Sequence, residues 1–168
     1  MDERKDREEV KASRWGYVIF HCNGDIEVVE CDRNTDCEAV AKKVIGCEEI
    51  NLCEPRVRVG SRDISLNFLR NANEYADYKE NFKEKANRAA FRFVGNVHFG
   101  EVIACDYGKF EGRDECGYIP IPLDDAFFVA GFAEGVEIFK EDWKPEEDWY
   151  VDVCAGRCYP TDEDFEGD

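Results

Sequence analysis

Nine cysteines and two histidines are the side chains of this sequence best suited to nucleophilic, redox or metal chemistry. His21 and His98 are the only imidazoles that could serve as general bases, and His21 directly precedes Cys22. Neighbouring side chains on a strand point to opposite faces, so His21 and Cys22 are not expected to act as a dyad. His21 is expected on the core face, and His98, between Val97 and Phe99, is given the same structural reading. The run Cys154-Ala155-Gly156-Arg157-Cys158 has a spacing suited to two ligands of a tetrahedral zinc site, with Cys105 and Cys116 as candidate partners. Ten residues separate Cys105 from Cys116 and no histidine lies near Cys154 or Cys158, so most of the cysteines are expected to be reduced, buried hydrophobes and no metal is expected. Acids are so abundant that Asp124 and Asp125 read as a helix start rather than as acid and base. With no phosphate loop, dinucleotide fingerprint, nucleophile elbow or HExxH motif, neither an enzyme nor a cofactor is expected.

Charge is the more informative property. The 168 residues carry 39 Asp and Glu against 22 Lys and Arg, a net charge of −17, with an isoelectric point near 4.5. Such a surface repels bare nucleic acid and anionic lipid, so direct binding to either is not expected. The charge is also uneven: residues 51–100 sum to +3 and residues 101–168 to −15. Residues 141–168 hold 11 acids against Lys144 and Arg157, yet also hold Trp143, Trp149 and Tyr150. Solvating tails are poor in aromatics, whereas interfaces combine aromatic anchors with a charged rim. The residues expected to meet a basic surface on a partner protein are therefore Asp114, Glu115, Glu141, Asp142, Glu146, Glu147, Asp148 and Asp152, with Trp143 and Trp149 as anchors. The rival reading has the two tryptophans closing the core of their own domain.

The elements that must position these residues follow from local patterns. Residues 1–14 form a mixed-charge leader without the apolar segment of a secretory signal, which points to the cytoplasm. The longest apolar candidate, around Leu123 to Ala133, contains Asp124 and Asp125 and falls short of the ~20 residues that span a bilayer. Asn23-Gly24 between two β-rich runs predicts a hairpin with a type I′ turn, in which His21 faces Ile26 and Ile19 faces Val28. Thr35 and Glu38 predict a capping box, and Cys37, Val40, Ala41, Val44 and Ile45 form one apolar stripe of a helix that stops at Gly46. Gly60-Ser61 predicts a second hairpin, running to Phe68, that pairs Arg58 with Asp63 and Val57 with Ile64. Residues 71–88 read as a polar loop or marginal helix, and Ala90 to Tyr107 as one or two strands. Tyr118 to Pro122 reads as an edge strand because proline cannot donate to the ladder. A short helix capped by Asp124 is expected to run through Ala133, and Val136 to Phe139 is expected to be the last strand.

The expected fold is therefore α+β: a mostly antiparallel sheet of hairpins with one or two short packed helices over residues 15–140, followed by an acidic segment over 141–168. This order, with Phe93-Val94-Gly95-Asn96-Val97 and Ile121-Pro122-Leu123-Asp124-Asp125 late in the chain, resembles the layout of small accessory domains of unknown function from Firmicutes phages and mobile elements. The likeness covers residues 16–133 and departs at the insertion 71–88. It implies an accessory protein, and acidic proteins from that setting include DNA mimics that inhibit restriction, CRISPR or other defence proteins of the host. The expected function is thus a non-enzymatic acidic binding protein, with a phage-type DNA-mimic inhibitor as its finer form. A small enzyme, or a zinc-stabilised regulatory protein without mimicry, is the alternative.

Overall fold

In the computed structural model the described residues are 14–52, 57–59, 62–64, 66–73, 80, 82–94 and 98–135. Strands β1 (Trp15–Phe20) and β2 (Ile26–Cys31) form the expected hairpin, one position out of the expected register: Phe20 pairs with Ile26, Ile19 with Glu27 and Val18 with Val28. A type I′ turn needs positive φ at both central residues, and only Gly24 (φ 101°) has it, since no non-glycine residue among those described does. The loop is instead longer, closed by Gly24 N–H to His21 O and His21 N–H to Asp25 O, each 2.9 Å. The shift takes His21 off the core face into the loop, where its side chain is 29% exposed.

The hairpin joins β3 (Ile50–Leu52), β6 (Asn67–Asn71), β7 (Val102–Lys109), β8 (Cys116–Ile119) and β9 (Ile121–Pro122) in one sheet. Among the described residues this sheet has seven strands, in the order β2-β1-β7-β6-β3, with β8 attached to β7 and β9 to β1, and every pairing is antiparallel. β7 pairs with the C-terminal half of β1, and β9 takes over at Trp15 and Gly16 after β7 has turned aside to meet β8. Strands β4 (Val57–Val59) and β5 (Arg62–Ile64) make a separate two-stranded ladder with the expected Arg58↔Asp63 and Val57↔Ile64 pairs. The run expected to continue from Arg62 to Phe68 thus splits between two sheets.

Both faces of β1 are buried, which accounts for its unbroken Tyr17-Val18-Ile19-Phe20 run. Tyr17, Ile19, Leu69, Ile103 and Cys105 pack with Cys37 and Ala41 of helix α1 (Cys37–Ile45). Val40, Val44 and Ile45 sit partly buried against the same cluster, so the whole expected stripe is used. The helix begins one residue later than expected. Asp36 is the N-cap, accepting from Glu38 N and Ala39 N at 3.1 and 3.4 Å, while Thr35 N–H is committed to Asp32 O in the preceding turn. Gly46 ends it at φ 77°, as expected.

On the opposite face Val18, Phe20, Leu66, Phe68 and Val102 meet Ala89 and Ala90 and the buried side of helix α4 (Leu123–Gly135). Ala89 and Ala90 belong to α3 (Arg88–Val94), which follows the single turn α2 (Phe82–Lys85) and replaces the strand expected from Ala90. Asn87 makes the difference. Its Oδ1 accepts from Ala90 N at 2.9 Å and its backbone carbonyl takes the first helical bond from Phe91 N at 3.2 Å, capping a helix within a β-rich composition. In α4, Asp124 and Asp125 lie in the first turn, favourable for the helix dipole. Among the described residues no helix is long and apolar enough to cross a membrane. The expected leader up to residue 13, the strand 136–139 and the acidic segment 141–168 lie outside the described residues.

Candidate functional site

Where β1 ends and β7 begins, four polar side chains converge. Glu101 immediately precedes β7 and is held beneath the β1–β2 loop, its side chain 18% exposed. One of its oxygens, Oε2, lies 2.6 Å from His21 Nδ1 and accepts from Cys22 N at 3.2 Å, while Oε1 accepts from Cys22 Sγ at 3.0 Å. The other ring nitrogen, His21 Nε2, lies 2.9 Å from Glu27 Oε1 on β2. His21 and Cys22 therefore meet through one carboxylate, a correction to the expectation that they diverge. Strand alternation does not apply, because both residues lie in the loop.

Burial and the two carboxylates shift the protonation of both groups. Burial by itself would lower the His21 pKa, but hydrogen bonds and charge from Glu27 and Glu101 outweigh it and raise the value. Burial, then the hydrogen bond and charge of Glu101, push the Cys22 thiol up to about 11 against a small opposing effect of Lys85. A cysteine nucleophile needs its thiolate, and Cys22 is kept as the thiol.

Two open hollows flank the cluster. One, of about 580 Å³, is lined by His21, Gly24, Asp25, Ile26 and Glu27. The other, of about 540 Å³, lies between the α1–β3 turn and the end of β6, lined by residues that include Glu48, Glu49, Asn71, Asn73 and Lys85. Lys85 O accepts from Gly100 N at 2.7 Å, and its ammonium acts on the Cys22 thiol, so Lys85 joins the second hollow to the cluster. Glu48 and Glu49 are exposed and form no ion pair among the described residues.

Of the residues expected to meet a partner, Asp114 and Glu115 lie exposed in the β7–β8 turn, where Asp114 Oδ1 is 2.9 Å from Lys109 Nζ. Glu141, Asp142, Trp143, Glu146, Glu147, Asp148, Trp149 and Asp152 lie outside the described residues, as do Cys154 and Cys158. Cys105 and Cys116 do not converge. Cys105 is fully buried, whereas Cys116 is exposed and pairs with Lys109, four positions, or roughly 13 Å, further along β7. Cys105 instead meets the thiol of Cys37, and burial pushes its own thiol well above the ordinary range. Among the described residues no group of three or more His, Cys, Asp or Glu side chains could hold a metal ion. His98 is buried, as expected.

Glu101, Glu27 and Lys85 were not legible as site residues. Glu101 is 80 and 79 positions from His21 and Cys22 in sequence, and its one local signal is its place after Gly100 (φ 88°), ahead of an apolar strand.

No protein-family model and no curated protein matches the chain. Among solved structures it is similar to the small RNA methyltransferase HEN1, with 12% identity and a TM-score of 0.46, over 74% of this chain and 17% of that one. The chain therefore spans about a sixth of that protein's length, and no role is carried over from it.

Proposed function

We propose that this chain is a non-enzymatic acidic binding protein that engages a basic surface on a partner protein. The observation that carries the reading is the acidic end of the sheet, where Asp25, Glu27, Glu48 and Glu49 are exposed around two hollows. The neighbouring histidine and cysteine are both engaged by carboxylates, which supports binding over catalysis. The described residues hold 19 acids and 13 bases, so more than half of the net charge of −17 comes from the rest of the chain. Segment 141–168, with its 11 acids and two tryptophans, is accordingly the second part of the proposed interface.

The finer form of the proposal is a phage-type or mobile-element accessory protein, acting in the host cytoplasm, that inhibits a nucleic-acid-handling defence protein by standing in for DNA. Charge density weighs on this point. Asp25, Glu27, Glu30 and Asp32 along the β2 edge give one carboxylate per roughly 6 to 8 Å of strand, against one phosphate per ~3.4 Å of each DNA strand. Glu30 is also neutralised by Arg14 at 2.7 Å. The β2 edge alone is too dilute to imitate a duplex, so mimicry requires runs such as Glu146-Glu147-Asp148.

The test uses the full chain to capture proteins from host cytosol, then measures the affinity of the purified captured protein. A Glu48→Gln/Glu49→Gln variant and a Glu146→Gln/Glu147→Gln/Asp148→Asn variant are expected to bind at least about fivefold more weakly. Unchanged affinity in both variants overturns the acidic interface. Duplex DNA competing for the captured protein supports mimicry, whereas simultaneous binding of duplex and chain rejects mimicry alone.

A further inference from the structure

An imidazole has two ring nitrogens, and both donate only while the ring carries two protons. At His21 both nitrogens face oxygens that can only accept as carboxylates: Glu101 Oε2 at 2.6 Å and Glu27 Oε1 at 2.9 Å. The imidazolium satisfies both. A neutral ring has one N–H, and its bare nitrogen would face a carboxylate lone pair.

We propose that His21 is a proton-operated clasp that, when charged, joins the edge strand β2 to the start of β7 across the β1–β2 loop and, when neutral, releases Glu27. The choice of Glu27 follows from surroundings. Glu101 is the more buried carboxylate, makes the shorter contact and is fixed by the Cys22 amide and thiol, whereas the Glu27 side chain is 54% exposed and water can replace its partner. The proton that remains therefore stays on Nδ1, toward Glu101. Release frees one wall of the hollow formed by His21, Gly24, Asp25, Ile26 and Glu27. This clasp stands on its own geometry and does not depend on the proposed partner.

The charged and titratable groups around His21 are Glu27 on β2, Cys22 and Asp25 in the loop, Glu101 before β7 and Lys85 in α2. Among side chains histidine is the one whose ordinary range spans neutral pH, and Cys22, pushed up to about 11, remains a thiol there. The sign follows from the direction of the shift. Because the folded-state pKa of His21 is raised, the stabilisation is complete below the ordinary value of about 6.5 and is lost as pH rises through the folded-state value.

Ring-nitrogen NMR of the full chain across a pH titration tests the clasp. At pH near 6 both His21 nitrogens are expected to be protonated. On titration the midpoint should lie above the ordinary value, and Nε2 alone should become bare. Glu27→Gln, a change at an exposed position, should raise the acid dissociation constant of His21 about two- to fivefold, the range for one half-exposed ion pair, while the tautomer stays on Nδ1. A midpoint at or below the ordinary value, loss of the proton from Nδ1 instead, or no response to Glu27→Gln overturns the proposal.

Discussion

Replacing Asn87 with alanine should be among the most damaging single changes in the domain, although Asn87 touches neither hollow. Its side chain is fully buried and makes three hydrogen bonds to backbone: Nδ2 donates to Phe20 O at 2.7 Å and to Gly100 O at 2.8 Å, and Oδ1 accepts from Ala90 N at 2.9 Å. One amide thus caps α3 and ties the end of β1 to the residue before Glu101. Truncation leaves two carbonyls and one N–H without these partners, each worth about 1 to 3 kcal/mol when buried and unpaired. The carbonyls each retain a second lone pair for other donors, so the lower part of that range applies to them. The expected loss is about 3 to 5 kcal/mol, a large share of the ~5 to 15 kcal/mol typical of a domain. For a chain of this size that corresponds to a fall in Tm of roughly 6 to 20 °C. Denaturant and thermal unfolding should be measured beside Asn87→Asp, which keeps the capping oxygen but removes the donors and sets a carboxylate against two carbonyl oxygens. Asn87→Asp should be at least as destabilised as Asn87→Ala. If Asn87→Ala melts within about 3 °C of the parent, or Asn87→Asp restores stability, the three Asn87 hydrogen bonds do not hold β1 and α3 together.

Gly16→Ala should destabilise by about 2 to 4 kcal/mol in denaturant titration, because the added methyl would lie 2.5 Å from Val29 O and 2.9 Å from Leu123 Cδ1, where β1 is enclosed by β2 and α4. Ala41→Asp should lose about 3 kcal/mol or more by the same measurement, since Ala41 is fully buried on α1 and the aspartate charge would have no partner. Mild alkylation followed by peptide mass mapping should label the exposed Cys116 well before the buried Cys37 and Cys105; equal rates would contradict the described packing.

Several elements were legible because their signals are local. The β4–β5 register follows from two turn residues, and the α1 stripe from 3.6-residue periodicity ending at a glycine. The structure departs from the local pattern where a signal has two solutions. Asn23-Gly24 is compatible with a two-residue turn or a longer loop, and the conformation in which only Gly24 adopts positive φ moved every partner of β1 by one position. Ala89 to Val94 combines alanines with aromatic and branched residues, and its helical state rests on Asn87, whose contacts with Phe20 and Gly100 are tertiary. The cluster at His21 was least legible, since Glu101 reaches it only through the pairing of β1 with β7.

The claim that this is an acidic binding protein is tested most directly by the salt dependence of its affinity for a captured and purified partner. Between about 50 and about 500 mM salt the Debye length shrinks from roughly 14 to roughly 4 Å. Affinity carried by exposed carboxylates should fall at least about tenfold over that range, and less steeply for the Glu48→Gln/Glu49→Gln variant. An affinity that is constant across the range, with parent and variant superimposed, would contradict the account.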